Sequence, residues 1–249
     1  MPLVLVHGSW DSHQDWDLLV PHLTDSFRVL TYDRRGHSAS ERPAGQGSVR
    51  EDVADLAALI EDLRLAPAWV VGNSFGASIA LRLAGDRPDL LRGLIAHEPP
   101  LLSFLADDAA AARMLEEVEQ KVNAVAEQIA KGDHAGATER FVEEVALEPG
   151  MWARLPPEYR QILIENAPTL LDETRDPEAF GFDLEWVTGF TKPTLLTLGG
   201  ESPPMSKPVM TKLAEALPHA EVHALQDAGT CPAGHTSRCV RRGANRFHP

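Results

Sequence analysis

An α/β fold on a mostly parallel sheet, interrupted by an all-helical insertion, is what the sequence predicts. Three observations predict it. Short apolar runs that suit strands buried on both faces alternate with segments of helical period over roughly the first hundred residues. Four of the runs end in polar motifs: His7-Gly8, Asp33-Arg34-Arg35-Gly36, Gly72-Asn73-Ser74-Phe75-Gly76 and His97-Glu98. From about 101 to 189 helical patterns replace the strands, which then resume.

In order, Pro2-Leu3-Val4-Leu5-Val6 is the first strand and Phe27 to Tyr32 the second. Ser48 to Leu63 places Val53, Leu56, Leu59, Ile60 and Leu63 on one helical face. Ala68-Trp69-Val70-Val71 is the third strand, and Ala77 to Ala84 the helix after it. Leu91 to Ala96 is the fourth strand. The insertion holds helix candidates at Ala109–Lys131, His134–Leu147, Pro157–Asn166 and Ala167–Thr174. A strand over Pro193–Leu198, a helix over Val209–Leu217 and a strand over Glu221–Leu225 follow. Such alternation implies parallel strands with right-handed crossovers. Sites in such sheets lie at the carboxyl ends of the strands, where all four motifs fall.

The bulk numbers narrow the function. A chain of 249 residues buries a large core, and 43% hydrophobic with 24% charged residues is ordinary for a globular protein. A net charge of −14 argues against nucleic acid and anionic membranes as partners. No apolar run reaches transmembrane length and no signal core is visible, so a cytoplasmic protein acting on a small molecule is expected. Two cysteines, Cys231 and Cys239, indicate no disulfide framework.

Gly72-Asn73-Ser74-Phe75-Gly76 fits G-x-S-x-G between a strand and a helix. A serine on so tight a turn is held in strained backbone geometry with its hydroxyl above the sheet. Glycines two residues before and after it remove side chains that would collide. The helix that follows offers free N–H groups to whatever the serine attacks.

Together, His7-Gly8 after the first strand, Asp33-Arg34-Arg35-Gly36 after the second and the Ser74 elbow make the chain resemble the α/β-hydrolase fold superfamily. The resemblance covers 1–102 and 191–229, beginning at the family's usual third strand. It implies a core of 1–102 and 191–249, with a helical cap over 103–190 that sets specificity. It also implies an esterase-like serine hydrolase without metal or organic cofactor. The Phe75 backbone N–H and that of Ser9, with Trp10 beside it, would form the oxyanion hole.

A serine needs a base and an orienting acid. The family's usual acid position, after the strand that follows the cap, holds Ser202. Glu98, at the end of the strand before the cap, is favoured over Glu201 as the acid. An unpaired charge at a buried strand end is costly, which speaks for a function there. The family's usual base position, after Leu225 to Gly229, holds Thr230, and His235 is the nearest histidine. His223 is expected on a sheet surface; His13, His22, His37, His134 and His219 are expected in loops or at the surface. Thr230 to Pro249 carries four arginines, both cysteines and no acid, and lacks the helix with which the family ends. With GC-rich codons assumed, a one-base frame shift turns this tail into such a helix. A metal site on Cys231, His235 and Cys239 lacks a fourth ligand and is disfavoured. A loop without an anchor holds a base poorly, so weak activity is expected. The alternative is a vestigial or ligand-binding member without its base. Lactone and C–C bond hydrolysis need the same triad and stay open.

Overall fold

The computed structural model describes residues 1–147, 149–200 and 202–225. Among the described residues six strands form one sheet: β1 (Pro2–Val6), β2 (Arg28–Thr31), β3 (Ala68–Asn73), β4 (Leu91–His97), β5 (Thr194–Gly199) and β6 (Glu221–Leu225). Their spatial order is β2-β1-β3-β4-β5-β6, and every pairing is parallel. After β2 the chain crosses back over β1 to reach β3. The crevice between the ends of β1 and β3 is therefore a topological switch point.

The apolar runs are continuous because both faces of the sheet are covered. Val4, Val6, Val70, Leu94 and Leu196 point to one face, into a core shared with α1 (Val49–Asp62), α2 (Phe75–Asp86) and α9 (Ser206–Ala216). Leu3, Leu5, Trp69, Val71, Ile95 and Leu195 point to the other, where Trp16, Leu19, Leu23 and Phe27 cover them. The alternation within each strand is the two-residue period of a pleated strand. Helix α1 starts where the sequence signals it. Ser48 accepts from the Glu51 N–H while Glu51 bonds back to the Ser48 N–H, a capping box.

Between β4 and β5 the structure is helical: α3 (Ala112–Ala130), α4 (His134–Phe141), α5 (Met151–Arg154), α6 (Pro157–Asn166), α7 (Thr169–Arg175) and α8 (Glu185–Thr188). A π-helical turn, Val142–Ala146, continues α4. These helices build their own apolar cluster, with Val125, Ile129, Val142, Leu163 and Leu170. One residue from outside keys it to the sheet: Trp10, 1% exposed, stacked on Phe141 with ring centroids 4.4 Å apart. Truncating so buried a tryptophan costs about 3–5 kcal/mol. The short helices α5 and α8 are not evident in the sequence, which carries no period over four residues. Among the described residues, no helix is long and apolar enough to cross a membrane.

Candidate active site

Strand β3 ends at Asn73 and α2 begins at Phe75, leaving Ser74 alone in the turn with φ 51° and ψ −121°. Non-glycine residues avoid such angles because Cβ crowds the backbone, a cost of order 1–3 kcal/mol. The surroundings enforce them. An added Cβ would lie 2.5 Å from the Ala77 Cα at Gly72 and 2.5 Å from the His7 carbonyl oxygen at Gly76. The Ser74 N–H donates to the His97 carbonyl at 2.8 Å, tying the turn to the end of β4. Gly76 thus makes room for the end of β1 rather than for Gly72.

The loop after β1 approaches the same point. A Cβ on Gly8 would stand 3.3 Å from the Ser74 Cβ. His7 fixes this loop and is not a free base. Its Nε2 accepts from the Arg34 N–H at 2.9 Å, so its Nδ1 carries the proton and donates to the Gly8 carbonyl, also at 2.9 Å. Burial, and then the Arg34 charge, lower its pKa to about 3. The Arg34 guanidinium lies under the loop, 2% exposed. It donates to the Gly8 carbonyl at 3.0 Å, to Asp52 at 3.0 Å and to Glu173 of α7 at 3.2 Å. It also stacks over the Phe75 ring at 4.6 Å. Burial would lower this guanidinium, but the two carboxylates raise it above its ordinary value. Glu173 in turn accepts from the Ser9 hydroxyl at 2.6 Å. One buried cation thereby braces the residues on both sides of Ser74. Arg34 stands in a motif the sequence displays. Glu173 gives no signal there, because its partners lie 139 and 164 residues away.

Glu98 is the second strand-end residue with a left-handed backbone, φ 47°, and is 5% exposed. Its Oε1 accepts from the Gly199 N–H at 2.6 Å and from the Ser202 hydroxyl. Its Oε2 is buried and has no hydrogen-bond partner among the described residues. Ser202, which the sequence reading treats as a missing acid, is therefore a donor to one. The neighbouring His97 bonds Thr197 through Nδ1 at 2.9 Å. Glu201, His235, Cys231 and Cys239 lie outside the described residues. His37 departs from the loop-or-surface expectation. It is 1% exposed, edge-on to the His7 ring at 5.0 Å, and burial, then Arg34, hold its pKa well below the ordinary value.

Ser9, Ser74 and Glu98 line one cleft, with about 790 Å³ of empty space, walled by Val118, Val122 and Phe141 from the helical segment. A second lobe of about 600 Å³ meets it at Ser9 and Ser74, and reaches Asp11, Asn73 and Tyr159. A third hollow of about 820 Å³, beside Arg35, Arg42 and Asp172, includes neither Ser74 nor Glu98. The chemistry therefore places the candidate site in the first two. A strained serine hydroxyl, a buried carboxylate and apolar walls around one hollow are parts that acyl transfer can use.

A sequence model described as the alpha/beta hydrolase fold matches residues 1–232. Over 107 residues the chain is 39% identical to the 2-hydroxymuconate semialdehyde hydrolase of Pseudomonas sp. (strain CF600), covering 41% of this chain and 38% of that protein. Over 94 residues it is 35% identical to the pyrrolizixenacetamide deacetylase of Xenorhabdus hominickii, covering 37% and 35%. Either match spans well under half of the relative's own length. Among solved structures, a thermophilic esterase from Thermogutta terrifontis superposes with a TM-score of 0.75 at 24% identity, over 99% of this chain and 89% of that one.

Proposed function

The chain belongs to the α/β-hydrolase fold family, and we propose that within it this protein is a serine hydrolase of small carboxylic esters or related acyl compounds. The observation that carries the reading is Ser74 held at φ 51° where the ends of β1, β3 and β4 meet. In this reading Ser74 attacks the substrate carbonyl, and the N–H groups of Phe75 and Ser9, next to Trp10, receive the oxyanion. The base takes the serine proton and passes it to the departing alcohol as the acyl-serine ester forms; water then attacks that ester, releases the carboxylic acid and restores the serine hydroxyl. Glu98 orients the base. Its Oε2, without a partner among the described residues, supports this, since an imidazole N–H is the donor such an oxygen lacks. His235 is assigned as that base, and residues 103–190 act as the cap. No metal or organic cofactor takes part in this chemistry.

Thr230, at the family's usual base position, favours a second reading: a member that binds the same compounds but lacks an efficient base. The experiment is intact-mass analysis after treatment with an activated phosphonate, followed by p-nitrophenyl ester hydrolysis. A single adduct that Ser74→Ala removes supports the first reading. Labelling that survives Ser74→Ala overturns it. A turnover that His235→Ala changes by less than about tenfold selects the second reading.

A further inference from the structure

We propose that the lobe formed by Asp11, Asn73 and Tyr159 receives a protonated amine, so that the compound processed at Ser74 is an acyl compound bearing an alkylammonium group. The inference rests on the reading of Ser74 as nucleophile. The lobe opens directly beside Ser74, Gly8 and Ser9, so a substituent of any molecule attacked there reaches it.

Its polar atoms are mostly acceptors in need of a donor. Asp11 is 6% exposed and, among the described residues, has no ion-pair partner; its Oδ1 accepts from the Tyr159 hydroxyl at 2.6 Å. Asn73 is 2% exposed, lines the same lobe, and its Oδ1 has no hydrogen-bond partner among the described residues. Behind the lining, Asp15, 4% exposed, is a second buried carboxyl that feels Asp11 and whose two oxygens lack partners among the described residues. The cation that acts on Asp11, Arg34, is already bonded to Asp52 and Glu173. While Asp15 beside it stays protonated, ionised Asp11, with no cation bonded to it among the described residues, gives the lobe a negative potential. A carboxylate-bearing substrate is repelled from it. A neutral apolar one leaves the Asn73 carbonyl oxygen unsatisfied. An ammonium N–H satisfies both, and its alkyl stem suits the walls made by Phe141, Leu155 and Leu163.

Burial pushes the Asp11 carboxyl up to about 7, with the Tyr159 hydroxyl, the Ser12 N–H and Arg34 pulling it down. Burial, then Asp11, hold Asp15 well above its ordinary value. A cation favours ionised Asp11, so its affinity rises as pH rises through about 7.

The test compares n-butylammonium with 1-butanol, which share a chain and differ in charge, by tryptophan fluorescence on the full chain. The ammonium is expected to bind at least about tenfold tighter and to tighten between about pH 6 and about pH 8. It is also expected to slow phosphonate labelling of Ser74. Asp11→Asn is expected to bring the two affinities within about twofold. Should that variant not fold, Tyr159→Phe removes the hydroxyl that favours ionised Asp11 and moves the pH response upward. Equal binding of the two compounds, or an ammonium preference untouched in both variants, overturns the proposal. Loss of phosphonate labelling in the unaltered chain overturns the reading of Ser74 instead, while the ammonium comparison still decides the lobe.

Discussion

Ser74 and Glu98 end adjacent parallel strands, and both stand in left-handed backbone geometry that non-glycine residues avoid, at φ 51° and φ 47°. They are held there by different means. The Ser74 corner is locked by backbone: glycines at 72 and 76, carbonyls of β1 pressed against Gly76, and one bond to the His97 carbonyl. The Glu98 corner has one such bond too, from its N–H to the Thr197 carbonyl at 3.2 Å, but no glycine lock; what sets it apart is its side chain, held by the Gly199 N–H and the Ser202 hydroxyl across the sheet. A corner locked by backbone tolerates no added atom. One held by a side chain can be loosened in steps. Substitutions at the two corners should therefore differ in kind.

The largest effect is expected at Ser74 itself: Ser74→Ala should remove all phosphonate adduct by intact mass while the circular dichroism spectrum is unchanged. Next, from the role proposed for Glu98, Glu98→Gln should lower ester turnover by on the order of 10³–10⁴, as the orienting charge is lost. A fall under tenfold would break the parallel between the corners and leave Glu98 a structural residue. Gly76→Ala is the stability test of the locked corner. Its Cβ would meet the His7 carbonyl oxygen at 2.5 Å, so denaturant melts should show a loss of about 3 kcal/mol or more. The smallest effect belongs to the side-chain corner. Ser202→Ala removes one donor to a carboxylate and should cost about 1–3 kcal/mol in the same melts. Equal losses from Gly76→Ala and Ser202→Ala would erase the distinction.

The same distinction decides what the sequence makes legible. The Ser74 corner is written in five consecutive residues, and its physics is local, so elbow, strand and helix follow from the pattern alone. The sheet is legible for a like reason: each strand's apolar run reports two covered faces. Glu98 is legible only as a costly charge at a strand end. Its donors are 101 and 104 residues away, and Ser202 looks like a vacancy until it is seen donating to the acid. The Arg34–Asp52–Glu173 brace is less legible still. Burial and a shared guanidinium define it, and neither has a sequence period. Asp11 is hidden in the same way, since its partner Tyr159 comes from a helix 148 residues on. The π-helical turn after α4 breaks a pattern that predicts one helix to Leu147.

The distance between Glu98 and its donors also orders events during synthesis. The backbone contacts that lock the Ser74 corner lie between Val6 and His97 and can close while the ribosome is still adding the helical segment, ahead of the Glu173 brace. Gly199 and Ser202 emerge about a hundred residues later. Until β5 docks beside β4, the Glu98 carboxylate keeps its water. The nascent chain thus shapes its serine early and seats the neighbouring acid only when the sheet is extended past β4.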